Sequence, residues 1–350
     1  VSGSELTALI LALALSTSLL LSVVAVVWWF DRYDREPLHL IIGIFLWGAM
    51  AAPVLSVAAC STAGAVFSPD SLILVVGLGP LLEEVMKAAG IVLVVVLSRE
   101  FDNPTDGLVY GTASGLGFAA TENLVYSVVG TGEAVVHGTL LMVVIRTAST
   151  AGIHALSSAF FGGCLGFGHL SRGRVERLSW ALGGLTGAVA LHSGWNLLLL
   201  RLEVIGEVPQ LTPWFVALPA LYVLYIATLS LFLRSEQRIL SQELAEEVAL
   251  GVVPPWVCHV IPFYRRRIRS GWCQSRRERT VLARLLTRLA FRKHAVGRLP
   301  KDEADLAGLE IVRLRQRIRD MIGAEQDCQN SVEREAPGFC GADPGTRIDV

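Results

Sequence analysis

Charge is scarce in the first two-thirds of this chain. Residues 1–233 hold only nine of the 30 Lys and Arg side chains. Over all 350 residues 17% are charged and 53% hydrophobic, against about 25% charged in an ordinary soluble domain. So little charge over so long a stretch excludes a conventional soluble fold there. Close cysteine pairs are also missing. The six cysteines include no CxxC spacing, which argues against a disulfide framework or a standard zinc ribbon. Cys258, His259 and Cys273 are the one set in the tail that zinc could use, and they lack the usual paired spacing.

Long apolar runs are present instead. Seven approach or exceed the ~20 residues needed to cross a bilayer: 6–30, 38–60, 71–97, 107–130, 135–169, 178–200 and 211–233. The first is too long for a signal-peptide core, has no basic leader, and reads as a retained membrane helix. The fifth is long enough to be one tilted helix or two segments broken near Gly152. The loops 31–37, 98–106 and 171–177 carry Arg32, Arg35, Arg99, Arg172, Arg174 and Arg177. The alternate loops 61–70 and 131–134 carry no basic residue, and 201–210 has only Arg201 at its edge. Basic loops stay cytoplasmic, so the spacing predicts an external amino terminus and a cytoplasmic tail. The expected fold is an all-α polytopic membrane bundle of about seven helices over 1–233, followed by a basic tail over 234–350.

The tail changes character. Residues 235–251 have helical spacing and end on Gly251, a natural C-cap. Residues 264–301 hold 13 Lys or Arg against one acid, Glu278. Such a stretch suits anionic lipid; no nucleic-acid-binding motif accompanies it, and none is expected to bind. Residues 302–323 read as helix and the last ~25 as disordered.

Against this apolar background the buried ionisable residues stand out, since a charge at mid-membrane costs at least ~2.5–3.5 kcal/mol. Glu83, Glu84 and Lys87 lie in the third span, Glu122 in the fourth, Arg146 and His154 in the fifth, and His192 in the sixth. Counted from the cytoplasmic ends, Glu83, Glu122, His154 and His192 all fall roughly 21–23 Å deep at 1.5 Å per residue. Gly111, Gly115 and Glu122 share a helix face, and glycines four apart let helices approach closely. Ala151, His154 and Ser158 share another small-residue face; His192 and Asn196 are one turn apart. Lys87 is within reach of both glutamates and offsets one of the two charges. Pro80 frees a backbone carbonyl just before them.

These groups suit hydrolysis. Glu83 or Glu84 can activate water. Glu122, His154 and His192 can hold a zinc with an open position, or stabilise an oxyanion without one. Asn123 and Asn196 would orient neighbours, while Arg146, Tyr126 and Trp195 read as structural. Other intramembrane schemes fit poorly. The nearest string to GxSG is GTASG at 111–115, GxGD is absent although Tyr33-Asp34 and Pro219-Ala220-Leu221 occur, and there is no HExxH or HxxxH. A proton-coupled transporter would use the same buried acids and imidazoles as relays, but internal repeats, its usual mark, are not seen. A silent scaffold with a partner-recruiting tail is the third reading.

EEVMK at 83–87, FAATEN at 118–123, Arg146 with His154 downstream, and HSGWN at 192–196 occur in order over residues 28–200. With FDNPTDGLVYGTASGLGFAATENLVY at 101–126 and the DRYDREP loop, the chain resembles the PrsW-type intramembrane proteases, distant relatives of the CAAX-prenyl endopeptidase and Abi group. The resemblance implies a metal-dependent endopeptidase of the bacterial inner membrane that cuts membrane-anchored proteins such as anti-sigma factors. It also implies that Glu83, Glu84, Glu122, His154 and His192 form the site.

Overall fold

The computed structural model describes residues 3–64, 71–98, 100–129, 146–171, 173–205, 212–269, 271–273, 275–297 and 301–335. Among these residues the regular structure is helical throughout, with no strand. It forms two compact units that divide at Glu236/Gln237.

The first unit is a bundle. Its helices are α1 (Gly3–Phe30), α2 (Leu38–Leu46), α3 (Ala52–Gly64), α4 (Gly79–Leu97), α5 (Pro104–Val129), α6 (Thr150–His169), α7 (Arg174–Ile205) and the first part of α8 (Thr212–Ala249). Among the described residues four stretches are long and apolar enough to cross a membrane: Leu13–Phe30, Leu38–Gly64, Arg146–His169 and Leu218–Ala249. The other expected spans carry more polar residues: α4 alone holds Glu83, Glu84 and Lys87. Many large apolar side chains face outward, Val54, Val57, Val96 and Val223 among them, as lipid contact requires. In the fifth span the helix runs unbroken through Gly152 and is irregular only at Ser149, after a helical turn at 146–148. Residues 135–145 of that span lie outside the described residues.

Helix α6 is the inner element, with most of its length buried. Glycines bring α5 against it. A Cβ at Gly107 would lie 1.9 Å from the Gly162 carbonyl oxygen, one at Gly111 2.2 Å from that of Ser158, and one at Gly115 2.1 Å from that of His154. Each step of four up α5 is a step of four down α6, so the helices run antiparallel with backbones in contact.

Two π-helical turns reshape the bundle, Trp47–Ala51 between α2 and α3 and Ile73–Leu78 before α4. The second follows from Pro80. In the π register Gly79 N–H donates to the Leu74 carbonyl. The next partner, for Val75, would be residue 80, where proline has no N–H. Asn196 of α7 supplies the missing donor, its Nδ2 lying 3.0 Å from Val75 O.

The second unit contains the rest of α8, α9 (Trp256–Val260), α10 (Tyr264–Arg267), α11 (Arg276–Val296) and α12 (Lys301–Glu335). The segment 235–251 is not a separate helix but the continuation of α8. Gly251, at φ +68°, closes it with Gly251 N–H to Val248 O at 3.0 Å and Val252 N–H to Glu247 O at 2.9 Å, the Schellman pattern. Glu247, its side chain fully buried, pairs with Lys293 at 2.8 Å and Arg315 at 2.7 Å. Arg288 and Arg292 pair with Glu310. Part of the basic stretch is therefore spent inside the tail. Residues 326–335 continue α12 as helix, and 336–350 lie outside the described residues. Among the described residues Cys258 and Cys273 do not gather with His259 into a metal-ligating group.

Candidate active site

Four helices bring the acids and imidazoles together. Glu83 and Glu84 are adjacent on α4, so they point about 100° apart, and their surroundings differ accordingly. Glu84 faces inward and is locked. Its Oε1 accepts from Lys87 Nζ at 2.6 Å and Ser157 Oγ at 2.9 Å, and lies 2.8 Å from His192 Nδ1. Glu83 is partly exposed. Its Oε2 is 3.6 Å from His192 Nε2 and has no hydrogen-bond partner.

His192 is thus held between the pair, with Nδ1 toward Glu84 and Nε2 toward Glu83. A carboxylate on one ring nitrogen fixes the tautomer that leaves the other nitrogen free to bind. His154 packs edge-on against His192, ring centroids 4.7 Å apart. Its Nδ1 lies 3.0 Å from Lys87 Nζ and its Nε2 2.7 Å from Glu122 Oε2. Arg146 Nη2 reaches the same Glu122 oxygen at 3.1 Å, with its guanidinium 3.7 Å from the centre of the Tyr126 ring. Lys87, fully buried, also sits 4.8 Å from the centre of the Phe118 ring. Asn123 is turned away from the imidazoles; its Nδ2 donates to Ser16 Oγ at 3.0 Å and Thr147 Oγ1 at 3.1 Å, tying α1 to the turn that carries Arg146. Trp195 packs with Ile153 and does not enter the centre.

All of Glu83, Glu84, Lys87, Glu122, Arg146, His154 and His192 therefore belong to one connected network, with Asn123 and Asn196 as outer supports. The donor atoms within 4.8 Å of one another are those of Glu83, His154 and His192. The set differs from the expected one in a single member, Glu83 in place of Glu122. A carboxylate oxygen with two imidazole nitrogens suits zinc, and the orphaned, buried Glu83 Oε2 is where a ligand is wanted. Sequence reasoning missed Ser157, and it picked out Phe118 only as the first residue of FAATEN. Ser157 is three residues after His154, but nothing in the string separates it from Ser158.

A cluster of buried acids and imidazoles inside a helical membrane bundle is the kind of centre an intramembrane hydrolase needs. A family model described as PrsW family intramembrane metalloprotease matches residues 36–228, more than half of the chain, and the chain belongs to that family. Protease PrsW of Bacillus subtilis is 28% identical over 174 residues, 49% of this chain and 75% of that protein. Protease PrsW of Geobacillus kaustophilus is 30% identical over 175 residues, 49% of this chain and 72% of that protein. Protease PrsW of Oceanobacillus iheyensis is 36% identical over 93 residues, 26% of this chain and 42% of that protein. No solved structure matches. The chain is a membrane endopeptidase, and its family implies a metal. Family and relatives stand with proteases rather than transporters.

Proposed function

We propose that this chain cleaves a peptide bond of a membrane-anchored protein in a wet pocket between α4, α5, α6 and α7, with zinc as its metal. The observation that carries the reading is the convergence of Glu83, His154 and His192 donors within 4.8 Å beside a second, separately held carboxylate, Glu122. Glu83, His154 and His192 would hold the ion, which when bound supplies Lewis acidity and a more acidic water. Glu84 does not exchange protons with substrate: Lys87, Ser157 and His192 occupy it, and it orients His192. Glu122, its side chain 22% exposed, is the carboxylate left to accept a proton from the attacking water. Arg146 Nη2, 3.1 Å from its Oε2, keeps it aimed. The reading exchanges the roles that the sequence alone assigns to Glu83 and Glu122.

The substrate is a single-span protein of the anti-sigma-factor kind that the resemblance implies. The membrane is the bacterial inner membrane, with the loops 31–37, 98–106 and 171–177 and the tail on the cytoplasmic side. Seven spans satisfy the loop charges. In the tail, Arg265, Arg266 and Arg269 are exposed around exposed Phe263 and Ile268, a mixture that suits an anionic lipid surface.

The test is cleavage of a single-span substrate in liposomes, read together with bound zinc. Glu83→Gln and Glu122→Gln should each abolish turnover. Zinc should fall in Glu83→Gln and persist in Glu122→Gln. The reverse zinc pattern would restore the original assignment. Full activity in both variants would remove the site.

A further inference from the structure

A second set of acids lies away from the imidazoles, where the loop 31–37 meets the start of α5. Asp31, Glu36 and Asp106 are 1%, 3% and 1% exposed, and each offers a carboxylate oxygen within 4.8 Å of the others. The protease reading does not use them. Local hydrogen bonds orient all three. Asp31 Oδ2 accepts from Glu36 N–H at 3.3 Å, Asp106 Oδ2 accepts from Asp102 N–H at 2.7 Å and Asn103 N–H at 2.9 Å, and Glu36 Oε2 accepts from the Tyr110 hydroxyl.

A fourth acid supplies an independent sign. Glu236 on α8 is 5% exposed. Its Oε1 accepts from Thr105 Oγ1, next to Asp106 in sequence, while its Oε2 is buried with no hydrogen-bond partner. It stands close enough to act electrostatically on both Asp31 and Asp106. A buried, unpaired carboxylate oxygen beside three converging carboxylates is costly without a counter-charge.

We propose that Asp31, Glu36 and Asp106 bind a hard divalent cation, with Glu236 completing the charge from α8. The donors are all oxygen, which selects Ca²⁺ or Mg²⁺ over zinc. Oxygens this close can share one ion at the ~2.3–2.6 Å that Ca²⁺ takes. The ion ties the loop after α1, the start of α5 and α8 together at one end of the bundle. It is a structural site, separate in chemistry from the imidazole centre.

The test uses the full chain in nanodiscs, stripped with chelator and titrated with Tb³⁺, a luminescent stand-in for Ca²⁺. Tyr110 bonds Glu36 directly, and Trp28 Nε1 donates to the Glu36 carbonyl at 2.8 Å, so both can sensitise the ion. The expected result is saturable luminescence that Ca²⁺ competes away. Glu36→Gln and Asp106→Asn should weaken it about 10- to 100-fold, and His154→Ala with His192→Ala should leave it unchanged. The Asp106→Asn change keeps an acceptor oxygen to cap residues 102 and 103, so that variant tests charge rather than folding. Glu236→Gln, which removes no inner ligand, gives a second variant with a smaller loss. No saturable signal would overturn the site. So would a signal indifferent to all three carboxamide variants, or one that vanishes with the two histidines.

Discussion

At Lys87 a single ammonium serves two sites at once: it neutralises Glu84 and reaches His154. Both carboxylate and ammonium are removed from solvent, so losing one leaves the other unpaired. Lys87→Met should destabilise the bundle by about 3–5 kcal/mol, read as a drop in melting temperature in detergent. Adding Glu84→Gln should recover much of that stability but none of the turnover, because His192 would still lack its carboxylate. If the single variant melted like the wild type, the buried pair would not exist as described. Asn196 makes a second residue-scale case. Asn196→Leu leaves Val75 O without a donor and should cost about 1–3 kcal/mol. A Gln at the same place, one methylene longer, should be intermediate in melting temperature. The types and depths of these residues were legible in the string, since charge in an apolar run is visible there. Which glutamate of the Glu83–Glu84 pair is locked was not legible, because that depends on Ser157 and Lys87 approaching from one side only.

At the scale of helices, the α5–α6 contact sets the position of His154. Gly115 touches the His154 carbonyl, so any side chain there must move α6. Gly115→Val should abolish cleavage and lower the melting temperature, whereas Gly43→Ala, where an added Cβ meets nothing within 4 Å, should do neither. Equal activity in the two would show that the helix spacing does not control the site. The glycine ladder at 111 and 115 was readable from its period of four. The π-helical turns were not, although Pro80 signals a lost hydrogen bond: whether a helix bends, breaks or widens there depends on what fills the freed carbonyl. The fifth span is irregular at Ser149, not at Gly152, where the Tyr222 hydroxyl from α8 donates to the neighbouring Ala148 carbonyl at 2.6 Å.

For the whole molecule, a lipid-facing bundle and an ion-paired helical tail are stabilised differently. Glu247→Ala would strand Arg315, while Lys293 keeps Glu243 at 3.5 Å and Glu246 at 3.2 Å. The loss should be about 1–3 kcal/mol, since Arg315 is partly solvated and Lys293 stays paired. Hydrogen exchange across residues 276–296 should accelerate, while exchange in α5 and α6 stays slow. Acceleration in α5 would mean the two units unfold together. The DRYDREP loop illustrates how far a linear reading goes. Its arginines bear on the orientation of the chain, but its acids gain meaning only beside Asp106 and Glu236, distant in sequence. The string by itself determined the helical membrane class, the family and the ionisable residues, because the lipid environment penalises every polar group and so makes the exceptions visible. Only tertiary structure decided which carboxylates are held, which oxygen is left unpaired and which acids share a pocket, because those outcomes depend on distances between helices that sequence spacing does not encode.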